Sequence, residues 1–173
     1  MKALWLFSLL CFIIESKFLE RNLAELDLET IRNVILSRHN TYRKQHQVDD
    51  LVRNSAIEEI AQAYSETLAA STVFQHSLNK FNGFPLGENI YRNFGISVDG
   101  NDAVDTWYDQ INMYDFKNQG FSTNTGHFTQ LVWKGSKNLG CGIACGSACI
   151  VICNYFPPGN LFDEFESNVF PKK

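Results

Sequence analysis

Apolar residues recur along this chain in two rhythms, one near 3.6 residues and one of two. In LETIRNVILSRHNTYRKQHQ, residues 28 to 47, Ile31, Val34, Ile35, Arg38 and Tyr42 fall at helical spacing. Basic residues gather toward the end of that segment, where a helix dipole favours them. Ser55 to Glu58 has the form of a capping box and opens a second helical pattern, with Ile57, Ile60, Ala61, Tyr64 and Leu68 as the stripe to be buried. A third helix begins near Asn101 and carries Ala103, Val104, Trp107, Tyr108 and Ile111. The segments TVFQHS (72–77), ENIYRNF (88–94), CGIAC (141–145) and CIVICNYF (149–156) read as strands. Helices and antiparallel strands in mixed order predict a layered α+β domain rather than a parallel doubly wound sheet.

The first sixteen residues break both rhythms. Lys2 precedes an apolar run from Ala3 to Ile14, with Ser16 as the small residue where a peptidase could cut. A bilayer span takes about 20 apolar residues, so the run is too short to cross, and residues 1–16 read as a cleaved secretory signal. No second run of membrane length follows, and residues 17–173 are expected to form a single secreted, extracellular domain. About 155 residues suffice for one core and are few for two. The chain carries 15 Lys and Arg against 19 Asp and Glu, a net charge of −4. Its basic residues are scattered, so nucleic acid is not expected as a partner.

Export changes the meaning of the cysteines. Cys11 leaves with the signal, and Cys141, Cys145, Cys149 and Cys153 remain within GCGIACGSACIVIC. Such a cluster could hold zinc, but an oxidising compartment favours disulfides. If residues 146–148 turn a hairpin centred on Ser147, Cys145 faces Cys149 and Cys141 faces Cys153. Period-two alternation then places all four on one face.

Two longer segments carry a resemblance. GHFTQLVW (126–133) and ICNYFPPGN (152–160), with HNTYR (39–43), QHS (75–77) and GENI (87–90), resemble the motifs of the CAP superfamily of cysteine-rich secretory proteins, insect venom antigens and plant pathogenesis-related proteins. The likeness runs from about Leu28 to the end, and the tail and the loop before GHF are most similar to the Golgi-associated plant-pathogenesis-related branch. That branch is usually intracellular and poor in disulfides, and this chain departs from it in both respects. It also lacks the glycine after Met1 that a myristoyl anchor needs. The resemblance implies an α-β-α sandwich with a small antiparallel sheet between helical layers. It further implies a cleft lined by two histidines and two acidic residues, and a homodimer. Carried onto this sequence, the cleft residues are His76, Glu88, position 110 and His127; position 110 is Gln110, so the second carboxylate is missing.

The chemistry of those residue types sets the alternatives. Two neutral imidazoles and a carboxylate can bind a divalent metal, zinc above all, which makes His76, His127 and Glu88 the expected ligands. No cofactor is needed for folding. Hydrolysis at such a zinc would also want a base for the bound water, and Glu88 alone cannot be both ligand and base. Gln110 coordinates zinc poorly and has no useful proton equilibrium, but it can hold a histidine by hydrogen bonding. Asp109, about 100° away around a helix, should point elsewhere. Ser77 beside His76 would face the opposite way on a strand, which weakens a serine-hydrolase reading. His39 and His46 are taken as structural or solvent-facing.

Tyr114, Phe116 and Phe121 in YDFKNQGF stand at the spacing of a loop that the superfamily ties to sterol binding, beside a groove that accepts acyl chains. On composition alone these aromatics would simply pack the loop against the sheet. The expected function is therefore a secreted, non-catalytic binding protein in defence, venom or host interaction. Its partner would be a lipid, a sterol or a protein. The competing expectation is a zinc-assisted hydrolase using the same cleft.

Overall fold

In a computed structural model of the protein, residues 27–95 and 97–173 are described. The signal read at residues 1–16, with Cys11, lies outside them. Residues 27–45 are helical and make α1; from Arg32 to Lys173 the chain is one compact unit. It continues through β1 (Val52–Arg53), α2 (Ser55–Ala69), the short pair β2 (Lys80–Phe81) and β3 (Phe84–Pro85), and β4 (Gly87–Asn93). Then come α3 (Asn101–Tyr108), a 3-10 turn at Asp109–Met113, α4 (Gly126–Leu131), β5 (Asn138–Cys145), β6 (Cys149–Phe156) and α5 (Phe165–Asn168).

The main sheet runs in the order β1-β5-β6-β4, antiparallel except where β1 joins β5 in parallel. Helices cover it in layers, as an α-β-α sandwich requires. One face meets α2, where Ala61 and Leu68 pack with Ile90, Ile150 and Ile152. This contact is unusually close because β5 is glycine-rich there. A Cβ on Gly142 would come 2.3 Å from the backbone of Ala61 and Gln62, and one on Gly140 would come 2.4 Å from Ile57 and Glu58. The other face meets α1 and α3, with His39 bonded to Tyr155 of β6 and Trp107 Nε1 donating to Ile90 O.

Local chemistry departs from the sequence reading in four places. Asn54, not Ser55, caps α2: its side chain accepts from Ile57 N, and Glu58 ion-pairs with Arg53 instead of closing a capping box. That ion pair draws Glu58 onto the buried side of α2 together with Ser65, while Ile60 and Tyr64 are only half-buried. Residues 72–77, expected as a strand, form an extended loop that joins no ladder. GHFTQL, which the period-based reading left without an element, is helical. His39 and His46 are both fully buried and hydrogen-bonded, which is the structural one of the two roles expected for them. The β5–β6 hairpin pairs Cys141 with Cys153 and Cys145 with Cys149, and disulfides join both pairs.

Arg43 links this frame to α4. Its guanidinium has no exposed surface and donates to the carbonyls of Asp49, Leu131, Trp133 and Ser136. Leu131 is the last residue of α4, where helix carbonyls lack partners of their own. Burial pulls the Arg43 pKa down to about 10, still a cation at neutral pH.

Candidate functional site

The edge strand β4 builds one wall of a cleft. Successive strand side chains point to opposite faces, so Glu88 and Asn89 reach out on the two sides of the sheet. Glu88 Oε1 accepts from His76 Nδ1 (3.0 Å) and from Ser77 N (2.8 Å). Its Oε2 accepts from Ser77 Oγ (2.5 Å) and from Asn154 Nδ2 (3.2 Å), Asn154 being the residue opposite Glu88 in the β4–β6 register. Burial pushes the Glu88 carboxyl up, but the bonds from His76, Ser77 and Asn154 outweigh it and hold the group below the usual carboxylate range. On a strand Ser77 and His76 would face opposite ways; because residues 72–77 are not a strand, both turn to the same carboxylate.

Asn89 works on the other side. Its Nδ2 donates to His127 O (3.0 Å) and Tyr155 Oη (3.1 Å), tying the first turn of α4 to the sheet. The α4 helix takes its N-terminal partner from outside. Its leading residue Thr125 makes no side-chain cap, and Gln110 Oε1 instead accepts from His127 N (2.9 Å) and Phe128 N (3.3 Å). The same amide presents Nε2 to His127 Nδ1 at 2.9 Å. Burial, with a smaller effect from His76, pushes the His127 pKa down to about 4, so its ring is neutral at physiological pH.

His76, Glu88, Asn89, Phe121, His127 and Asn160 are among the residues lining the resulting cavity of about 340 Å³. The His76 and His127 ring centroids lie 6.3 Å apart. His76, Glu88 and His127 thus share the lining, and Gln110, outside it, is joined to the site through His127, whereas Asp109 is exposed and has no part in it. Among the described residues no group of three His, Cys, Asp or Glu side chains stands close enough to share a metal ion. Sequence reasoning missed Asn89, Asn154 and Asn160. The signal for Asn154 was there: it is the one polar residue within the otherwise apolar run CIVICNYF.

The loop aromatics divide. Tyr114 is buried and Phe116 half-buried, and both rings pack on Phe128, so these two hold the loop down. Phe121 is 61% exposed and lies across Gly126, at the lip of the cleft. It also lines a neighbouring cavity of about 430 Å³ shared with Gln119, Phe162, Phe165 and Glu166.

Residues 36–155 match the family described as CAP, the cysteine-rich secretory protein family. The chain belongs to the CAP family. It is 40% identical over 147 residues to the human Golgi-associated plant pathogenesis-related protein 1, covering 82% of this chain and 93% of that protein. To Protein PRY2 of Saccharomyces cerevisiae it is 38% identical over 141 residues, 79% of this chain and 40% of the longer yeast protein. Among solved CAP structures, NaASP2 with Zn2+ shares the fold at a TM-score of 0.66 and 24% identity, over 84% of this chain and 87% of that one. Among the described residues no helix is long and apolar enough to cross a membrane.

Proposed function

We propose that this CAP protein is a secreted, non-catalytic binding module whose cleft receives a ligand in defence or host interaction. One observation carries this conclusion. A carboxylate has two oxygens with about four acceptor sites, and Glu88 has four donors on it. No lone pair is left to take a proton from water or to ligate an ion, and a carboxylate held below its usual pKa range is a weak base. Ser77 gives its hydroxyl hydrogen to Glu88 rather than to a histidine, so it is not an activated nucleophile. The four residues are tied into two pairs, His76 with Glu88 and Gln110 with His127, and His76, Glu88 and His127 line the cleft.

The exposed ring of Phe121 between two cavities supports an apolar segment of ligand, such as a lipid chain, entering beside the polar cleft. Hydrolase function is tested directly by incubating the purified protein with peptide and ester substrates, with zinc and with chelator. No turnover above blank is expected. Turnover that chelator abolishes, zinc restores and Glu88→Gln removes would establish the hydrolase and end the binding-only reading.

A further inference from the structure

Gln110 decides which nitrogen of His127 carries the ring proton. Two backbone N–H groups, those of His127 and Phe128, point at one end of the Gln110 amide, and only its carbonyl oxygen can accept them. The other end is therefore the NH2, and at 2.9 Å it donates to His127 Nδ1. Nδ1 must present a lone pair. A neutral imidazole has one N–H, so the proton resides on Nε2, for which no protein partner exists among the described residues. His76 is arranged the other way round. Its Nδ1 faces a carboxylate, which can only accept, so Nδ1 keeps the proton and neutral His76 presents a lone pair at Nε2.

We propose that Gln110 makes His127 a hydrogen-bond donor instead of a metal ligand, so that the cleft selects a neutral hydroxyl group over a divalent cation. This deepens the binding function proposed above and rests on it. Histidines that hold a metal through one nitrogen give the N–H of the other to a carboxylate, carbonyl or water. Glu88 offers His76 that arrangement, and Gln110 offers His127 its inverse. With Glu88 already saturated, the set His76, His127 and Glu88 does not fit zinc. A hydroxyl suits the pair, because its oxygen accepts from His127 Nε2–H while its hydrogen goes to an acceptor. The cleft lining offers that acceptor in His76 Nε2. The ionised Glu88 beside it disfavours an anion.

Long-range proton–nitrogen NMR correlations on the labelled native protein, above neutral pH, separate pyrrole-type from pyridine-type ring nitrogens. The expected spectrum has His127 Nε2 pyrrole-type and Nδ1 pyridine-type. Gln110→Glu should exchange the two, because a carboxylate accepts from Nδ1–H. It should also raise zinc affinity in calorimetry by about 10- to 100-fold, the usual effect of a metal-ligand's hydrogen-bonding partner. Glycerol, as the hydroxyl probe, should shift the His127 side-chain signals of the native protein and not those of Gln110→Glu. A proton on Nδ1 in the native protein overturns the proposal, as do equal zinc affinities in the two proteins or native signals that glycerol leaves unmoved. The native spectrum decides the tautomer even if Gln110→Glu does not fold. Turnover enters none of these readouts: a protein with this tautomer that hydrolyses substrate fails the binding function alone, and an inert protein with the opposite tautomer fails this proposal alone.

Discussion

Arg43 offers the sharpest energetic test of how the α4 wall is held. Its guanidinium is a fully buried cation whose four hydrogen bonds all go to main-chain carbonyls, at 2.8 to 3.1 Å. Hydrogen bonds to a charged group contribute ~1.5–3 kcal/mol each, so four contribute at least ~6 kcal/mol. Against this stands the cost of burying the charge. A pKa lowered from 12.5 to about 10 corresponds to ~3 kcal/mol. The hydrogen bonds win, and Arg43→Met, which keeps the side-chain length and removes the donors, should destabilise the protein by at least ~3 kcal/mol. In a domain of this size that lowers Tm by roughly 6–12 °C. Arg43→Lys, with a point charge in place of the planar fork, should fall between the two. Urea unfolding followed by circular dichroism measures the difference. His127 signals in the folded fraction of Arg43→Met should shift as the end of α4 loosens. A loss below ~1 kcal/mol would show that water or a backbone shift replaces the guanidinium, and the account of α4 would be wrong.

Acid should weaken the fold through His39. Burial lowers its folded pKa to about 4, with smaller effects from Ile35 and Arg43, so the native state binds fewer protons than the unfolded chain between pH 6.5 and about 4. Its stabilising contribution is complete above pH 6.5 and is lost as pH falls toward 4, about 3 kcal/mol in all. His46, lowered mainly by burial, adds in the same direction. Urea midpoints across that range should fall with pH in the native protein and less steeply in His39→Phe; equal slopes would exclude His39 as a source. The two disulfides close loops of different length, with sequence separations of 12 and 4. Chain entropy therefore predicts ~3 kcal/mol for replacing Cys141 and Cys153 by serine and ~2 kcal/mol for Cys145 and Cys149. Thiol labelling of the unreduced, denatured protein that finds free cysteines would remove the basis for both values.

Periodicity, residue type and motif spacing together determined much of this protein from the chain alone. The helical stripes at 28–47, 55–69 and 101–108 and the two strands of the cysteine hairpin are local patterns, because burial on one side of an element imposes its own period. Hairpin symmetry about Ser147 led to the cysteine pairing in the same way. The family resemblance also named His76, Glu88, Gln110 and His127 as neighbours. What they do to one another needed the tertiary structure. Residues 72–77 have β-type composition, yet they join no ladder, and only the folded chain turns His76 and Ser77 onto one carboxylate. Ser55 and Asn54 are both good caps, and the return of Arg53 to Glu58 selects between them. GHFTQL is too short to show a period, and it is helical because Gln110, seventeen residues earlier, takes the first N–H groups of α4 while Arg43 takes the carbonyls at its end. The proton on His127 follows from that same contact. A sequence records which groups can give or accept a hydrogen bond, but the three-dimensional fold decides which of them meet.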